Sequence, residues 1–313
     1  MKAIAIHSYG TEEEMVLIDL PLPSPEDEQV IVEVFATSIN PIDWKLREGY
    51  LKDQLPFEFP IILGWDAAGV IHKVGGKVTD WKPGDRVFAR PATTARGTYA
   101  EFTAIDQGLL ARVPDDVSFT EAAATPLAGL TAWQCLYDFA GLQAGEKVLI
   151  HAGAGGVGSF AIQLAKHTGA TVVATGGPES LPVMIDLGAD HVVNYKNTDN
   201  PLPNDFDVVL DTVGGETQEK SFGLLKEGGR LVSIVQPPNE RLAKEKKVRA
   251  GFVWLEPRGD QLQELAKLMD ENKVKPLIDK VLPFSSDGLK EAHRLSQSGH
   301  AKGKIVIEMK PDV

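Results

Sequence analysis

Two different hydrophobic patterns divide the chain. Up to about residue 113, short runs rich in β-branched residues alternate with Pro, Gly and Asp turns, as in KAIAI, MVLIDL, AAGVIHKVG and TYAEFTAI. Short apolar runs bounded by turn residues are typical of β-strands. The first part of the chain is therefore predicted to be a β-rich module.

The pattern changes at the segment PDDVSFTEAAA. Ser118 and Glu121 have the spacing of a helix capping box and precede an Ala-rich run that favours helix. From Lys147 onward, apolar strands alternate with amphipathic helices, as in KVLIH, GVGSFAIQLAKHTG, TVVAT, DVVLD and GRLVSIV. This alternation is typical of a parallel, doubly wound α/β sheet.

Further elements follow Pro257, namely the helical segment DQLQELAKLMDENK, the strand KVLPF, a helix and the final strand GKIVIEM. They are too many for the α/β sheet, so we assign them to the β-rich module. The predicted domains are 1–124, 125–260 for the α/β domain, and 261–313 as the return to the first domain.

A glycine-rich turn joins the first apolar strand of the α/β region to its first helix. Gly153-x-Gly155-x-x-Gly158 lies between KVLIH and the amphipathic helix, with the next strand at Thr171. In this context glycines permit a tight turn, let backbone amides approach a pyrophosphate, and let the helix pack closely on the strand. The pattern predicts a dinucleotide site; a purely structural turn is the alternative. The predicted contacts here are Gly153, Gly155, Gly156, Val157 and Gly158.

The end of the second strand bears on the choice of dinucleotide. An Asp or Glu there usually holds the ribose hydroxyls of NAD, but TVVAT continues into two glycines. The absence of a carboxylate favours NADPH, with NADH as the alternative, although no basic residue lies between Thr175 and Asp190. The candidate contacts are Thr175, Gly176, Gly177, Ser180 and Tyr195, with Lys196 as a further candidate.

Charge and cysteine content narrow the function further. The chain has 313 residues and a net charge of −12, which disfavours nucleic acid and anionic membranes as partners. The single cysteine, Cys135, excludes an intrachain disulfide and any multi-thiolate metal site. The amino terminus MKAIAIHSYG alternates like a strand, and no apolar stretch is long enough for a bilayer, so we expect a cytoplasmic protein with no membrane partner.

Several longer strings resemble the medium-chain dehydrogenase/reductase superfamily, and within it the zinc-free quinone oxidoreductases and enone reductases. They are SINPIDWKLREGY, PIILGWDAAGVIHKVG, GDRVFA, AAATPLAGLTAW, HAGAGGVGSFAIQLAK, LGADHVVNY, DTVGG and GHAKGKIVI. The resemblance implies a Rossmann-type doubly wound parallel sheet inserted in a GroES-like β-rich domain, with the active site between the two domains. It also implies a homodimer, for which the segment VRAGFVW is a candidate edge strand.

The zinc-dependent branch of this superfamily carries a Cys on the loop that corresponds to SINPID and a His in a Gly-His-Glu motif. Here the loop has Asn40 and Pro41, and the second motif is Gly64-Trp65-Asp66. Neither a thiolate nor an imidazole stands at the required spacing. We therefore predict no metal site.

Without a metal, hydride transfer requires side-chain donors near the acceptor oxygen. In similar enone reductases a lysine at the Lys45 position lies near nicotinamide and substrate. We expect Lys45 and Asn40 to meet the oxyanion, Asp43 to orient Lys45, and Tyr50 to line the pocket or relay a proton. The alternative is that Asp43 and Lys45 form an ordinary exposed pair and Asn40 caps a turn.

The resemblance places further residues beside the cofactor, among them Thr131 near the nicotinamide carboxamide. These residues are Thr131, Val213, Gly214, Ile234, Phe252, Val253 and Lys304. The predicted function is an NADPH-dependent reductase that transfers hydride to a small hydrophobic carbonyl compound or quinone. A protein of the same fold that only binds NADPH, in a structural, crystallin-like or regulatory role, is the alternative; the physiological acceptor is beyond the sequence.

Overall fold

The computed structural model describes residues 1–197 and 202–311, and within them the chain forms two compact units. The first unit comprises Met1–Leu127, Pro257–Asn272 and Ile278–Val313, and the second comprises Ala128–Glu256 and Lys273–Leu277. The chain thus leaves and re-enters the first unit close to the predicted boundaries at 124 and 260. Residues 273–277, which we expected in the first unit, belong to the second.

The first unit is built mainly from two sheets. A three-stranded sheet has the order β2-β1-β4, and a larger sheet has the order β15-β16-β3-β5-β6-β8, with β7 also paired to β3. The strands are Lys2–Ile6 (β1), Val16–Asp19 (β2), Gln29–Ser38 (β3), Ile61–Ile62 (β4), Ala67–Val74 (β5), Arg86–Ala89 (β6), Phe102–Asp106 (β7), Leu110–Arg112 (β8), Ile278–Pro283 (β15) and Lys304–Glu308 (β16). The two carboxy-terminal strands therefore complete this sheet, as the surplus of elements predicted.

Four α-helices and two 3-10 turns accompany these strands. They are Pro41–Arg47 (α1), Phe119–Ala123 (α2), Gly259–Asp270 (α8) and Ser286–Ser298 (α9), with 3-10 turns at Glu12–Glu14 and Gln107–Leu109. The capping box of α2 is confirmed, since Ser118 N–H donates to Glu121 Oε2 at 3.0 Å and Glu121 N–H donates to Ser118 Oγ at 3.2 Å.

Helix α1 corrects an expectation, because we treated the segment that follows Asn40 as a loop. Pro41 occupies the first helical position, where its missing N–H costs no hydrogen bond. Asp43 accepts the Asn40 N–H at 2.8 Å and so closes the amino-terminal turn of the helix. A helix of seven residues is too short to show the amphipathic periodicity by which longer helices are predicted.

The second unit is the predicted parallel, doubly wound sheet. Its strand order is β11-β10-β9-β12-β13-β14, and every pair in it is parallel. The strands are Lys147–Ile150 (β9), Thr171–Gly176 (β10), His191–Asn194 (β11), Phe206–Asp211 (β12), Leu225–Ser233 (β13) and Arg249–Phe252 (β14). Strand order reverses between β9 and β12, which is where dinucleotides bind in such sheets.

Helices connect these strands. They are Pro126–Trp133 (α3), Gly156–Thr168 (α4), Leu181–Asp186 (α5), Gly215–Ser221 (α6) and Glu240–Lys246 (α7), with a π-helical segment at Gln134–Phe139 and a 3-10 turn at Pro178–Ser180. Residues 273–277 join this unit through Gln163 of α4, whose side-chain amide donates to Lys275 O and accepts from Lys275 N–H. The side chain thereby pairs with the backbone as a neighbouring strand would.

Candidate functional site

The glycine turn leads from β9 into the amino terminus of α4. Gly155 is extended and caps the helix, which begins at Gly156. A Cβ on Gly158 would lie 2.3 Å from Ala152 O, so only glycine permits this approach of helix and turn. The first N–H groups of a helix have no intrahelical partner and bear partial positive charge. The turn therefore fits the pyrophosphate of a dinucleotide.

Several of the remaining predicted cofactor residues lie at one edge of the sheet. In a parallel sheet all strands end on the same side, and Gly176, Val213, Ile234 and Phe252 stand at or just after the ends of β10, β12, β13 and β14. Val253 N–H donates to Ser233 O at 2.9 Å, which aligns the last two strand ends. The structure thus brings these residues to the edge where nucleotides bind.

One buried carboxylate organises part of this edge, and sequence reasoning missed it. Asp211 Oδ1 accepts the N–H groups of Val213 and Gly214 at 3.0 and 2.8 Å. Its Oδ2 accepts from Ser233 Oγ at 2.7 Å and from Gln218 Nε2 at 3.0 Å. Asp211 therefore fixes the DTVGG turn. The Asp in that string was the available signal, since a carboxylate at a strand end commonly holds the following turn.

The candidate contacts at the end of β10, the second strand of the α/β unit, lie close to the end of β11. Gly176 and Asn194 are paired at the ends of β10 and β11, and Tyr195 N–H donates to Gly176 O at 3.2 Å. The Tyr195 ring is 65% exposed, with Lys196 Nζ 5.9 Å from its centroid. Lys196 thus supplies a cation beside the strand end, although the strand itself carries none.

The side chain of Thr175, a candidate cofactor contact, is bonded inside the fold. It is 4% exposed, and its hydroxyl lies 3.1 Å from His151 Nδ1. His151 Nε2 is 2.9 Å from Ser221 Oγ, which donates its own proton to Thr217 O. His151 must therefore donate through Nε2 and accept from Thr175, so the Thr175 hydroxyl is used internally. Burial lowers the pKa of His151 to about 4, which keeps the ring neutral.

In the first unit, polar side chains stand at the ends of four neighbouring strands. Lys304 begins β16, Asn40 follows β3, Asp66 precedes β5 and Arg90 follows β6, and all four are at most 3% exposed. Asp66 Oδ2 accepts from Asn40 Nδ2 at 2.7 Å and from Ser38 Oγ at 2.6 Å. We call Lys304, Asn40, Asp66 and Arg90 the polar row.

Lys304, which the resemblance places beside the cofactor, is hydrogen-bonded within the first unit. Its ammonium donates to Ile39 O at 2.9 Å, to Asn40 Oδ1, and to Asp66 Oδ2 at 3.4 Å. These three acceptors match its three N–H donors, so the ammonium has no donor left for the cofactor. Burial lowers the pKa of Lys304, and the nearby Asp66 and Asp43 carboxylates oppose that effect.

A buried chain of hydrogen bonds ends at Asp43. Arg47 Nη1 lies 3.1 Å from His293 Nδ1, and His293 Nε2 lies 3.1 Å from Tyr99 Oη. Because a guanidinium only donates, Nδ1 accepts and Nε2 donates to Tyr99. Tyr99 in turn donates to Asp43 Oδ2 at 2.8 Å. Burial lowers the pKa of His293 to about 3, with Arg47 acting in the same direction, so its ring is neutral.

The same burial acts on Asp43. Desolvation raises its pKa to about 7 against the hydrogen bonds from Asn40 and Tyr99 and the charge of Lys304, which favour the ionised form. Both donors face Oδ2, and the buried Oδ1 makes no hydrogen bond to any described residue. A proton on Asp43 is therefore carried by Oδ1.

Lys45 and Tyr50 lie on and just after α1, beside Trp44. Lys45 Nζ is 5.7 Å from the Trp44 ring centroid, and the rings of Trp44 and Tyr50 meet edge to face at 6.3 Å. Tyr50 is 67% exposed. No ion pair or hydrogen bond joins Asp43 to Lys45 in the described chain, since residues two apart in a helix face different directions. Asp43 therefore does not orient Lys45 by direct contact, and the alternative of an exposed Asp43–Lys45 pair is wrong because Asp43 is fully buried.

The described residues contain neither a cluster of metal ligands nor a membrane-spanning helix. Among residues 1–197 and 202–311, no group of three or more His, Cys, Asp or Glu side chains could hold a metal ion. Within the same ranges, none of the helices combines the length and apolar character needed to cross a bilayer.

Comparisons with known proteins agree with this architecture. The alcohol dehydrogenase GroES-like domain model matches residues 26–115, and the zinc-binding dehydrogenase model matches residues 187–307. The chain is 38% identical to the 2-methylene-furan-3-one reductase of Solanum lycopersicum, over 99% of this chain and 80% of that protein. It is 37% identical to the chloroplastic NADPH-dependent alkenal/one oxidoreductase of Arabidopsis thaliana, over 98% of this chain and 79% of that one.

A solved structure extends the likeness to the whole fold. The quinone oxidoreductase from Coxiella burnetii superposes with a TM-score of 0.91 at 34% identity, and the match covers 99% of each chain. The predicted fold, a Rossmann-type sheet inserted in a GroES-like domain, is thereby confirmed.

The names of the relatives contradict the expected cytoplasmic location. Those whose names include a location are called chloroplastic, chloroplast envelope or mitochondrial proteins. The expectation rested partly on the strand pattern of the first residues, and these residues form β1, which pairs with β2 and β4. The strand pattern of these residues reflects the fold and does not indicate a cellular location.

The chain belongs to the medium-chain dehydrogenase/reductase superfamily, and within it to the quinone oxidoreductases and enone reductases.

Proposed function

We propose that the protein transfers a hydride from NADPH to a quinone or to the β-carbon of an α,β-unsaturated carbonyl compound, without zinc. NADPH supplies the hydride. The nucleotide turn before α4 and the carboxyl edge of the second unit's sheet would bind it. Two observations support NADPH over NADH. The end of β10 carries no carboxylate that would repel a 2′-phosphate, and Lys196, beside Tyr195, supplies a cation near that strand end.

The observation that carries zinc independence is the buried ammonium of Lys304. Of the two motifs that supply a Cys and a His to zinc in the alcohol dehydrogenase branch, the first contains Asn40 here, and the second has Trp65 at the His position, followed by Asp66. Lys304 binds both Asn40 and Asp66. Asp66 is also fully occupied, since its Oδ1 accepts the Leu127 N–H at 2.7 Å. An internal cation thus satisfies the groups that would otherwise face a metal.

We assign the remaining chemistry to side chains of the first unit. Lys45 is the proposed partner of the developing oxyanion, and Tyr50 is proposed to line the acceptor site. Asn40 Nδ2 has two N–H groups and gives one to Asp66, so the second is available to the acceptor oxygen. Asp43 holds the amino terminus of α1 and thereby positions the helix that bears Lys45.

The free edge of the six-stranded sheet supports a homodimer. Strand β14 is the last strand in the order and pairs only with β13 in the described chain. Phe252 and Trp254, at its end, are 36% and 54% exposed and lie 6.4 Å apart. Because uncovered apolar edges promote association, we propose that two copies pair here, and size measurement in solution tests this.

The test of the function is NADPH oxidation with a panel of quinones and enones, before and after extensive dialysis against a chelator. We expect turnover at unchanged rate after dialysis. Loss of rate that added zinc restores would refute zinc independence.

Lys45→Ala separates an enzyme from a protein that only binds the nucleotide. We expect this variant to lose rate while its affinity for NADPH, measured by fluorescence titration, is unchanged. Absence of turnover across the panel in wild-type protein with NADPH bound would overturn the catalytic proposal.

A further inference from the structure

Arg90 is a buried guanidinium at the end of β6 whose hydrogen bonds are concentrated on one nitrogen. It is 3% exposed, and its Nη1 donates to Pro91 O and to Thr93 Oγ1, both at 2.7 Å. The Nε–H is buried and makes no hydrogen bond to any described residue. The described chain also offers no partner to Nη2. The edge formed by Nε and Nη2 is therefore free.

The charge of Arg90 is not paired directly either. No carboxylate of a described residue lies within ion-pair distance of it, and Asp66, its neighbour in the polar row, already accepts from Ser38, Asn40, Lys304 and Leu127 N–H. Burial lowers the pKa of Arg90 to about 10, and the more distant charges of Asp66 and Asp43 oppose the shift. The guanidinium is thus positive at neutral pH.

Arg47 in the same unit shows what a structural arginine looks like. It is 0% exposed, and its Nε donates to Gly10 O at 3.1 Å. Its Nη1 is bonded to His293, and its Nη2 donates to Glu48 at 2.6 Å and to Gln297 at 3.2 Å. Every nitrogen of Arg47 has a partner within the fold, whereas Arg90 keeps one edge without any.

The free edge of Arg90, formed by Nε and Nη2, matches the geometry of a carboxylate. Nε–H and Nη2–H of a guanidinium are parallel donors that match the two oxygens of a carboxylate. A buried charged donor without a partner is costly, so the site favours a ligand that supplies an anion. We propose that Arg90 binds a carboxylate of the acceptor, so that the preferred acceptors are α,β-unsaturated carbonyl compounds bearing a carboxylate group. This inference rests on the proposed reductase function.

The test compares 4-oxo-5-hexenoic acid with its methyl ester. In both compounds two methylene groups separate the carboxyl group from the enone, so they share the same enone and differ in charge. We expect kcat/KM to favour the acid by roughly tenfold or more, since a charge-assisted bidentate pair exceeds the ~1.4 kcal/mol that corresponds to tenfold. Arg90→Gln should abolish that preference and leave the rate with the ester within about twofold. Arg90→Lys, which keeps the charge without the fork, should retain part of the preference.

Arg96→Gln is the matched control, because Arg96 lies on the same segment and is exposed; it should leave both rates unchanged. Equal rates for acid and ester in the wild type would overturn the proposal. A loss of both rates in Arg90→Gln, together with a lower melting temperature, would also overturn it by showing a structural role. Rescue of the acid preference in Arg90→Lys speaks against that role.

A binding measurement keeps this inference separate from the proposed function. If neither acceptor is reduced, the reductase function fails, and calorimetry with 4-oxohexanoate, the saturated acid, still tests Arg90. We expect binding to the wild-type protein with NADPH and at least roughly tenfold weaker binding to Arg90→Gln. Equal binding by both proteins would refute a carboxylate site at Arg90.

Discussion

The buried carboxyl group of Asp43 predicts a pH dependence of stability with a definite sign. Its pKa is raised from 3.8 to about 7 in the folded protein, chiefly by desolvation. Between these two values the folded state binds more protons than the unfolded state, so the free energy of unfolding must fall as pH rises through this window. The stabilisation is present below pH 4 and is lost by about pH 7.

The magnitude follows from the shift. At ~1.4 kcal/mol per pKa unit, about three units correspond to a contribution of ~4 kcal/mol. Asp43→Asn removes the titration while retaining an oxygen that accepts from Asn40 and Tyr99. We therefore expect its free energy of unfolding to lack this fall between pH 4 and 7, whatever its value at one pH.

Urea unfolding followed by tryptophan fluorescence at closely spaced pH values measures the difference between wild type and variant. Asp53→Asn is the control, because Asp53 is exposed and its substitution should leave the wild-type slope unchanged. The reasoning is refuted if wild type and Asp43→Asn have the same pH slope, or if the wild-type protein becomes more stable relative to the variant as pH rises from 4 to 7.

Two further substitutions test the nucleotide turn and the polar row. Gly158→Ala places a Cβ 2.3 Å from Ala152 O and should weaken NADPH binding more than roughly tenfold in fluorescence titration, whereas the control Gly108→Ala, whose Cβ meets nothing within 4 Å, should bind within about threefold of wild type. Lys304→Met leaves the buried Asp66 without its ammonium and should lower the free energy of unfolding by ~3 kcal/mol or more. Adding Asp66→Asn should cost less than the two single changes combined, and strict additivity in chemical denaturation would contradict a coupled pair.

The sequence predicted the strand, the glycine turn and the helix of the proposed nucleotide site because these elements follow local rules. A strand, a glycine turn and a helix are contiguous between residues 147 and 168, and parallel strand ends meet at one edge of a sheet. Knowing that β10, β12, β13 and β14 are parallel is therefore enough to bring Gly176, Val213, Ile234 and Phe252 to that edge. No long-range register is needed for this step.

The polar row could not be predicted in the same way, because its members meet only through the register of distant strands. Val306 is paired with Ser38, and Ala67 with Ala89, and these two registers bring Lys304 to Asn40 and Arg90 to the neighbourhood of Asp66. Apolar periodicity indicates which face of a strand is buried and does not set register between strands far apart in the chain. The resemblance consequently gave no sign that the Lys304 ammonium donates to Ile39 O, Asn40 and Asp66.

The proposed zinc independence changes what the first unit would offer to an acceptor. A zinc ion keeps an open coordination position for a substrate oxygen, whereas the Lys304 ammonium spends all its donors on Ile39 O, Asn40 and Asp66. The Lys304 ammonium pairs with Asp66 and has no N–H donor left to polarise a substrate oxygen. The row contains the cations Lys304 and Arg90 against the single carboxylate of Asp66, and of the two cations only Arg90 keeps N–H donors without a partner in the described chain. Under the proposed zinc-independent function, electrostatic recognition of the acceptor would depend on fixed guanidinium and ammonium groups, of which Arg90 is buried and Lys45 is half-buried.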